Sequence, residues 1–218
     1  MQETCFAAGA QREHISVLPM GVDLQRTFIP RAEIARSDHR LVFVGRFVEM
    51  KGVGHLLDAV AIIKKAIPEI ELLLVGDGPL LPVIRQKITH LELEGHVMLA
   101  GSINNRDLPP LYASATVCVM PSIDQEGLGL VMVEALGCGC AVVASDLPAT
   151  HDVMQHGQTG MLARPGDAVD LAEKIMHVLR DKDMRTRLVA NGREYVRSRF
   201  DWDETAAQYH KLIARLVM

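Results

Sequence analysis

Residues 41–54 read LVFVGRFVEMKGVG, and this stretch sets the pattern of the fold. It opens with apolar, β-forming residues up to Gly45, and a helical spacing of apolar residues starts at Gly54. A short run that is apolar throughout is typical of a strand buried on both faces of a sheet. A helix directly after such a strand indicates a βαβ unit. The stretch therefore predicts a parallel sheet covered by helices.

The same alternation extends along the chain in both directions. Short apolar runs bounded by Gly, Pro or polar residues predict strands at 15–18, 41–45, 70–76, 96–100, 116–120 and 140–144. Helical patterns predict helices at 54–66, 80–91, 106–114 and 128–136, then three in succession at 167–180, 184–200 and 204–216. We expect an α/β fold with a doubly wound parallel sheet, Rossmann-like, as one domain over 1–218 with C-terminal helices from about 167.

Composition narrows the possible functions. The chain has 218 residues, and its 23 Lys and Arg against 27 Asp and Glu give a net charge of −4, which disfavours nucleic acid as a main partner. No apolar run reaches the roughly 18 residues of a spanning helix, and the first residues lack the pattern of a signal peptide. We therefore expect a cytoplasmic protein.

In open sheets of this kind, ligands bind beyond the carboxyl ends of the strands, so the loops there are the candidate sites. Arg46 and Lys51 share one such loop and could clamp a diphosphate, the first as a planar fork and the second as a point charge. They could equally be two solvated surface charges. Gly76 and Gly78, with Pro79 at a helix start, indicate a tight turn that needs no ligand to explain it.

A third loop carries two glutamates eight residues apart, Glu126 and Glu134. Gly127 and Gly129 would leave backbone N–H groups bare at a helix start, which suits a phosphate. Glu134 lies among apolar residues, and a buried carboxylate needs a partner. A ribose diol is one such partner; the alternative is that Glu134 lies on a polar face of the helix.

Other patterns carry less weight. The D-x-D triplets 181–183 and 201–203 stand at predicted helix starts, where Asp caps free N–H groups, so we expect no metal site there. The G-x-G pairs do not continue as the dinucleotide-binding fingerprint. Cys118, Cys138 and Cys140 lie in apolar segments and, with Cys5, are expected to be free thiols. His151, near one of the loops, is expected to be a surface residue.

Taken in order, the loops resemble a large family of retaining glycosyltransferases with two Rossmann-like domains, the GT-B family of group 1, or family four. The matching stretches are VLPMGVD (17–23), FVGRFVEMKG (43–52), LLLVGDGPL (72–80), VMLAGSI (97–103), LPPLYASATVCVMPS (108–122), EGLGLVMVEALGCGCAVVAS (126–145) and GQTGMLARPGD (157–167). The segment from Glu126 to Glu134 resembles the E-x7-E motif of that family. Each stretch is weak evidence alone, but their shared order and spacing are specific.

The resemblance implies a role for each matching residue. Arg46 and Lys51 would bind the donor diphosphate, and Glu126 would contact the hydroxyls of the donor sugar. The backbone of Gly127 and Leu128 would touch the phosphates, and Glu134 would bind the ribose. The remaining implied contacts to the nucleotide are those of Gly45, Gly78 and, at the edge of the base, Ile103. The donor would be a UDP or GDP sugar, with no cofactor and no metal.

The chain also departs from the family. Met20 stands where Asn is usual, the loop 145–153 lacks the usual glycine pair, and Asp152 stands where Glu is common. The family has an N-terminal domain that binds the acceptor, and no segment here matches it. We therefore expect the C-terminal half of a GT-B fold, inactive alone, that would meet an acceptor glycan or lipid, and any membrane surface, only through the missing half. A non-catalytic nucleotide-sugar-binding subunit and a sugar-nucleotide epimerase of similar architecture are the alternatives.

Overall fold

A computed structural model describes residues 6–11, 15–124 and 129–217. Its centre is a parallel sheet of six strands. The strands are β1 (Arg40–Val44), β2 (Glu71–Val75), β3 (Val97–Gly101), β4 (Val117–Met120), β5 (Ala141–Ser145) and β6 (Met161–Ala163). The predicted α/β fold with a parallel sheet is confirmed.

The strands lie in the order β3-β2-β1-β4-β5-β6. Leu41 of β1 pairs with Leu72 of β2 on one side and with Val117 of β4 on the other. The chain therefore builds the sheet outward from β1 in one direction, then returns and builds outward from β4 in the other. In a doubly wound sheet the reversal leaves a crevice at the carboxyl ends of the two central strands.

Helices cover both faces of this sheet. They are α1 (Val53–Lys64), α2 (Leu81–His90), α3 (Pro109–Ser114), α4 (Leu130–Gly137), α5 (Pro148–Val153), α6 (Ala168–Arg180), α7 (Lys182–Phe200) and α8 (Trp202–Val217). Two 3-10 turns precede α1 and α3, at Glu49–Lys51 and Asn105–Asp107. Local chemistry fixes several boundaries: the carboxylate of Asp167 accepts hydrogen bonds from the backbone N–H groups of Val169 and Asp170, which caps α6.

Alternate residues of the strands enter two apolar layers. Leu41 and Phe43 of β1 pack with α1, α2 and α6 on one face. Val42 packs with α3, α4 and α7 on the other, where Tyr112 is fully buried. The central strands are apolar at nearly every position because both of their faces are covered, as the sequence predicted. β3 is also apolar but is more exposed, because it forms an edge of the sheet, and Met98 in it is 67% exposed.

Some predicted elements are wrong. The segment 15–18 is not a strand, and Val17 in it is 63% exposed. The sixth strand is Met161–Ala163 instead, which pairs with β5 and is too short to stand out as an apolar run. The predicted helix 106–114 is a 3-10 turn followed by α3, because Pro109 supplies no backbone N–H and begins a new helix. The helix α5 was not predicted.

The segment around Val22 contacts the junction of α7 and α8. The backbone N–H of Val22 donates to Phe200, and that of Trp202 donates to the carbonyl of Val22, at 2.8 and 2.9 Å. This bridge holds residues 21–28 against the junction of α7 and α8. Within the described part of the chain, no helix is both long enough and apolar enough to cross a membrane.

Candidate functional site

The loops after the two central strands touch each other. The backbone N–H of Ile123, after β4, donates to the carbonyl of Met50, after β1, at 2.9 Å. Gly52 has φ +64°, and a Cβ built on it would lie 1.9 Å from the carbonyl oxygen of Pro121. Only glycine fits this approach, since any side chain would force the two loops apart. The glycine at position 52 thus lets the two loops meet and close the base of the crevice between β1 and β4.

The loops after β1 and β2 are joined in the same way. The N–H of Gly45 donates to Val75 at 3.0 Å, and that of Phe47 donates to Asp77 at 2.8 Å. A Cβ at Gly78 would lie 2.5 Å from the carbonyl oxygen of Phe47. Gly45 and Gly78 therefore have a structural role at this edge, joining one loop to the next. Their predicted contact with a ligand stays a prediction.

The two predicted cations lie on the loop after β1. Arg46 follows Gly45 and is exposed, whereas Lys51 ends the 3-10 turn and is half-buried. Both therefore stand at the carboxyl edge of the sheet beside the crevice, as the spacing in the sequence predicted. This placement fits phosphate binding, but the contact itself stays a prediction.

The loop after β4 is described only in part. Glu126, Gly127 and Leu128 lie outside the described residues. The chain is described again at Gly129, whose φ of +65° turns the backbone into α4. The helix begins at Leu130, so its first N–H groups lie at the carboxyl edge of the sheet, next to the crevice.

Glu134 is a buried carboxylate with two donors. Only 6% of the residue is exposed. Its Oε1 accepts from the amide Nδ2 of Asn105 at 2.7 Å, and its Oε2 accepts from the phenol of Tyr112 at 2.9 Å. The interpretation of Glu134 as part of a polar helix face is wrong. The expectation that it is buried with a partner is confirmed, although the partners in the structure are protein groups and ribose binding stays a prediction.

Two opposing effects act on this carboxyl group. Burial raises the pKa of Glu134, while the hydrogen bonds from Tyr112 and Asn105 lower it. Burial, and then the nearby charge of Glu134, raise the pKa of the Tyr112 phenol well above its usual value. The phenol therefore remains a proton donor to the carboxylate throughout the physiological pH range.

The loop after β3 reaches this carboxylate as well. It carries Ile103, which is half-buried against the apolar layer that contains α4. Asn105 stands two residues further on and binds Glu134. The loop that carries Ile103 therefore contacts Glu134 through Asn105. Asn105 and Tyr112 were not identified from the sequence; the signal available was that a buried carboxylate requires nearby donors.

The remaining candidates have structural roles. Asp181 accepts from the N–H of Met184 at 2.8 Å and caps α7, and Asp201 accepts from the N–H of Asp203 at 3.0 Å. The predicted capping role of the first Asp in each D-x-D triplet is confirmed, and the expectation that neither binds a metal stays a prediction. His151 is exposed and lies 2.5 Å from a carboxylate oxygen of Asp146. Across residues 6–11, 15–124 and 129–217, no group of three or more His, Cys, Asp or Glu side chains could hold a metal ion.

The cysteines that the structure describes are free and buried, as predicted. They are Cys118, Cys138 and Cys140. Burial raises the pKa of the last two thiols to about 12 and that of Cys118 well above its usual value. Such thiols carry almost no thiolate at neutral pH and are poor nucleophiles. Cys5 lies outside the described residues.

Known structures share this architecture. HepE from Anabaena, solved in complex with UDP and glucose, superposes with a TM-score of 0.87 over 98% of this chain and 60% of that chain, at 25% identity. The C-terminal domain of a group 1 glycosyl transferase from Francisella tularensis, LpcC, has the same fold, with a TM-score of 0.74 over 84% of this chain and 100% of that chain, at 24% identity. The sheet and helices therefore match a single Rossmann-like domain of a GT-B enzyme.

Sequence comparison agrees with the fold. A GDP-mannose-dependent α-(1-6)-phosphatidylinositol monomannoside mannosyltransferase of Mycobacterium tuberculosis is 33% identical over 94% of this chain. The aligned region is 56% of that enzyme, so the chain spans about half the length of this relative. The profile of the family described as "Glycosyl transferases group 1" matches residues 25–195. The chain belongs to the group 1 glycosyl transferase family.

Proposed function

We propose that this chain binds the nucleoside diphosphate sugar donor of a retaining glycosyltransferase, in the crevice between the carboxyl ends of β1 and β4. One observation carries the proposal: the loops after these strands touch at Gly52 and Pro121, with Arg46 and Lys51 on one of them and α4 beginning after the other. A crevice at the reversal of a doubly wound sheet is where such folds bind nucleotides.

The phosphates would occupy the positive side of this crevice. Arg46 and Lys51 bring two cations, and the first turn of α4 brings backbone N–H groups and the positive end of the helix dipole. Negative charge develops on the nucleoside diphosphate as it leaves the sugar. Cations already in position stabilise that charge and lower the barrier. Gly127 and Leu128 would add backbone contacts, and Glu126 would contact the hydroxyls of the sugar.

The nucleoside would lie along the loop after β3. Ribose hydroxyls would donate to Glu134, and the backbone near Ile103 would contact the edge of the base. HepE was solved with UDP, whereas the mycobacterial relative is described as dependent on GDP-mannose. Both UDP and GDP are therefore candidate nucleotides for this chain. We propose that binding needs neither a divalent metal nor another cofactor.

This chain is proposed to be the donor-binding half of the enzyme. It spans about half the length of the mycobacterial relative, and the LpcC C-terminal domain has its fold. The acceptor, a glycan or a lipid, would bind to a further domain, which would also make any contact with a membrane. Positioning of the two substrates is a large part of rate enhancement, so this half alone should bind the donor without transferring the sugar.

Isothermal titration calorimetry tests the site through the phosphates. The chain is titrated with UDP, UMP, GDP and GMP. For the preferred base, we expect the diphosphate to bind about tenfold or more tightly than the monophosphate, because the second phosphate gains charged hydrogen bonds. Arg46→Ala should remove most of this preference. Arg85→Ala, which changes an exposed arginine on α2, is the matched control and should keep it.

Equal affinity for the diphosphate and the monophosphate would count against the phosphate site. A large loss of binding in a chelator would show that a metal takes part. Rapid sugar transfer to an acceptor by this chain alone would contradict the division of labour between two domains.

A further inference from the structure

The Glu134 carboxylate is held from two directions by groups that differ in burial. Tyr112 lies on α3, is fully buried, and donates to Oε2. Its ring also contacts that of Phe28, with centroids 6.4 Å apart, so packing fixes its position. Asn105 lies on an exposed 3-10 turn and donates to Oε1. One oxygen is thus bound to the core and the other to the loop beside the crevice.

After these two hydrogen bonds, the carboxylate can still accept further ones. Each oxygen of an ionised carboxylate can accept about two hydrogen bonds. Tyr112 and Asn105 each use one position on a different oxygen, so each oxygen retains a second position. A vicinal diol is the natural ligand for such a carboxylate, because its two hydroxyls can reach both oxygens at once.

We propose that Tyr112 and Asn105 are the positioning residues of the nucleotide site, holding the Glu134 carboxylate ionised and oriented for a ribose diol. This inference rests on the proposed function. Tyr112 acts from the core, where its ring cannot move away, and Asn105 acts from the loop that also carries Ile103. Neither residue contacts the nucleotide directly; both act through Glu134.

Because Glu134 is a titratable group, its role predicts a pH dependence of the affinity for the nucleotide. Burial raises the pKa of Glu134 and the two donors lower it. The carboxylate accepts from a hydroxyl more strongly than the neutral acid does, so affinity falls as the pH drops through the raised pKa. Loss of one donor raises this pKa further, and the fall in affinity then begins at a higher pH.

Other titratable groups do not change the difference between the variants. The terminal phosphate of the nucleotide titrates in this pH range, but it does so equally for every variant. Tyr112 on α3, Cys118 on β4 and Cys138 after α4 face Glu134, and all three have raised pKa values. They therefore stay neutral where the carboxyl group titrates. Among the residues that the structure describes, none forms an ion pair with Glu134, and that includes the charged groups of α7, which packs against α4.

The test is the affinity for UDP and GDP across about pH 5 to pH 9, measured by calorimetry on the chain and its variants. Tyr112→Phe keeps the ring and removes only the hydroxyl. Loss of a donor to the ionised form destabilises that form, so the pKa of Glu134 rises further. The variant should therefore bind about tenfold more weakly at the acidic end, with affinity near that of the original chain at the alkaline end.

Two further variants complete the design. Tyr209→Phe removes an exposed hydroxyl on α8 and should follow the original chain at every pH. Asn105→Ala changes an exposed residue, so it decides the question even if Tyr112→Phe fails to fold. It should show the same displacement of the pH profile.

The outcomes separate the two proposals. Profiles of Tyr112→Phe and Asn105→Ala that superpose on the original chain, while Glu134→Gln weakens binding, would overturn the positioning role and leave the nucleotide site standing. If Glu134→Gln also leaves affinity unchanged at every pH, the ribose contact fails and the positioning role fails with it. A loss of affinity that is equal at all pH values would also contradict the inference, since it would indicate a structural effect without a change of protonation.

Discussion

Gly52→Ala tests whether the sequence really closes the crevice between β1 and β4. An alanine at φ +64° costs about 1 kcal/mol, because its Cβ crowds the backbone in the left-handed region. The new Cβ would also stand 1.9 Å from the carbonyl oxygen of Pro121, where at least about 3 Å is needed. The loops must therefore separate by about 1 Å. This separation breaks the hydrogen bond from the N–H of Ile123 to the carbonyl of Met50 and disturbs the packing of the two loops. We expect Gly52→Ala to lower the free energy of unfolding by about 3 kcal/mol in all.

Gly157→Ala is the matched control for this substitution. Gly157 has φ +71°, close to that of Gly52, but a Cβ there would meet no atom within 4 Å. It should therefore lose only the conformational part, about 1 kcal/mol. For a chain of this size, these losses of stability lower the melting temperature by about 6–12 °C in Gly52→Ala and by about 2–4 °C in Gly157→Ala.

The assay is thermal denaturation followed by circular dichroism, with the nucleoside diphosphate titrated into each variant. Gly52→Ala should also bind the nucleotide more weakly, because the loop that carries Arg46 and Lys51 has moved. Equal destabilisation of the two variants would refute the reasoning, since it would mean that the approach to Pro121 is not required.

Two further predictions follow from single residues. Asp167→Ala removes the cap of α6 and should lower the melting temperature at neutral pH, while Asp167→Asn should keep most of it. Hydrogen bonds from the backbone of Asp170 are the largest cause that lowers the pKa of Asp167, so the stabilisation is present above the usual value of 3.8. It is lost as the pH falls through the lower folded value, and the wild-type and alanine melting curves should converge there, a point that denaturation at a series of pH values checks. Cys138 and Cys140, with pKa values of about 12, should resist a thiol reagent at neutral pH and react only after unfolding in guanidinium, as counted by mass spectrometry.

The sequence predicts the sheet well because the central strands are buried on both faces. Runs such as 41–45 are apolar at every position, and the helices between them have clear spacing and starts. The strand β6 has only three residues and depends on pairing with β5, so local pattern does not reveal it. The error at 15–18 has the opposite cause: an apolar run without a neighbouring strand to pair with stays irregular.

How well the sequence predicts each part of the site depends on how far apart the contacting residues lie in the chain. Arg46, Lys51 and Gly52 are close in the chain, so the sequence places them on one loop. Glu134 could be expected to have a partner because it lies among apolar residues. Its two donors lie 29 and 22 residues away, and only packing brings them to the carboxylate. The left-handed glycine at 52 shows the same limit, since Pro121 comes near it only in the folded sheet.

The most direct test of the central claim is the affinity of Glu134→Gln for the nucleoside diphosphate. The amide has the volume of the carboxylate; its oxygen can accept from Asn105, and the hydroxyl of Tyr112 can turn to accept from its NH₂, so the fold should survive. Glu173→Gln, an exposed change on α6, is the control. We expect Glu134→Gln to keep its melting temperature and, unlike the control, to lose about tenfold or more in affinity, because a charged hydrogen bond is worth about 1.5 to 3 kcal/mol. Unchanged affinity in a folded Glu134→Gln protein would contradict it.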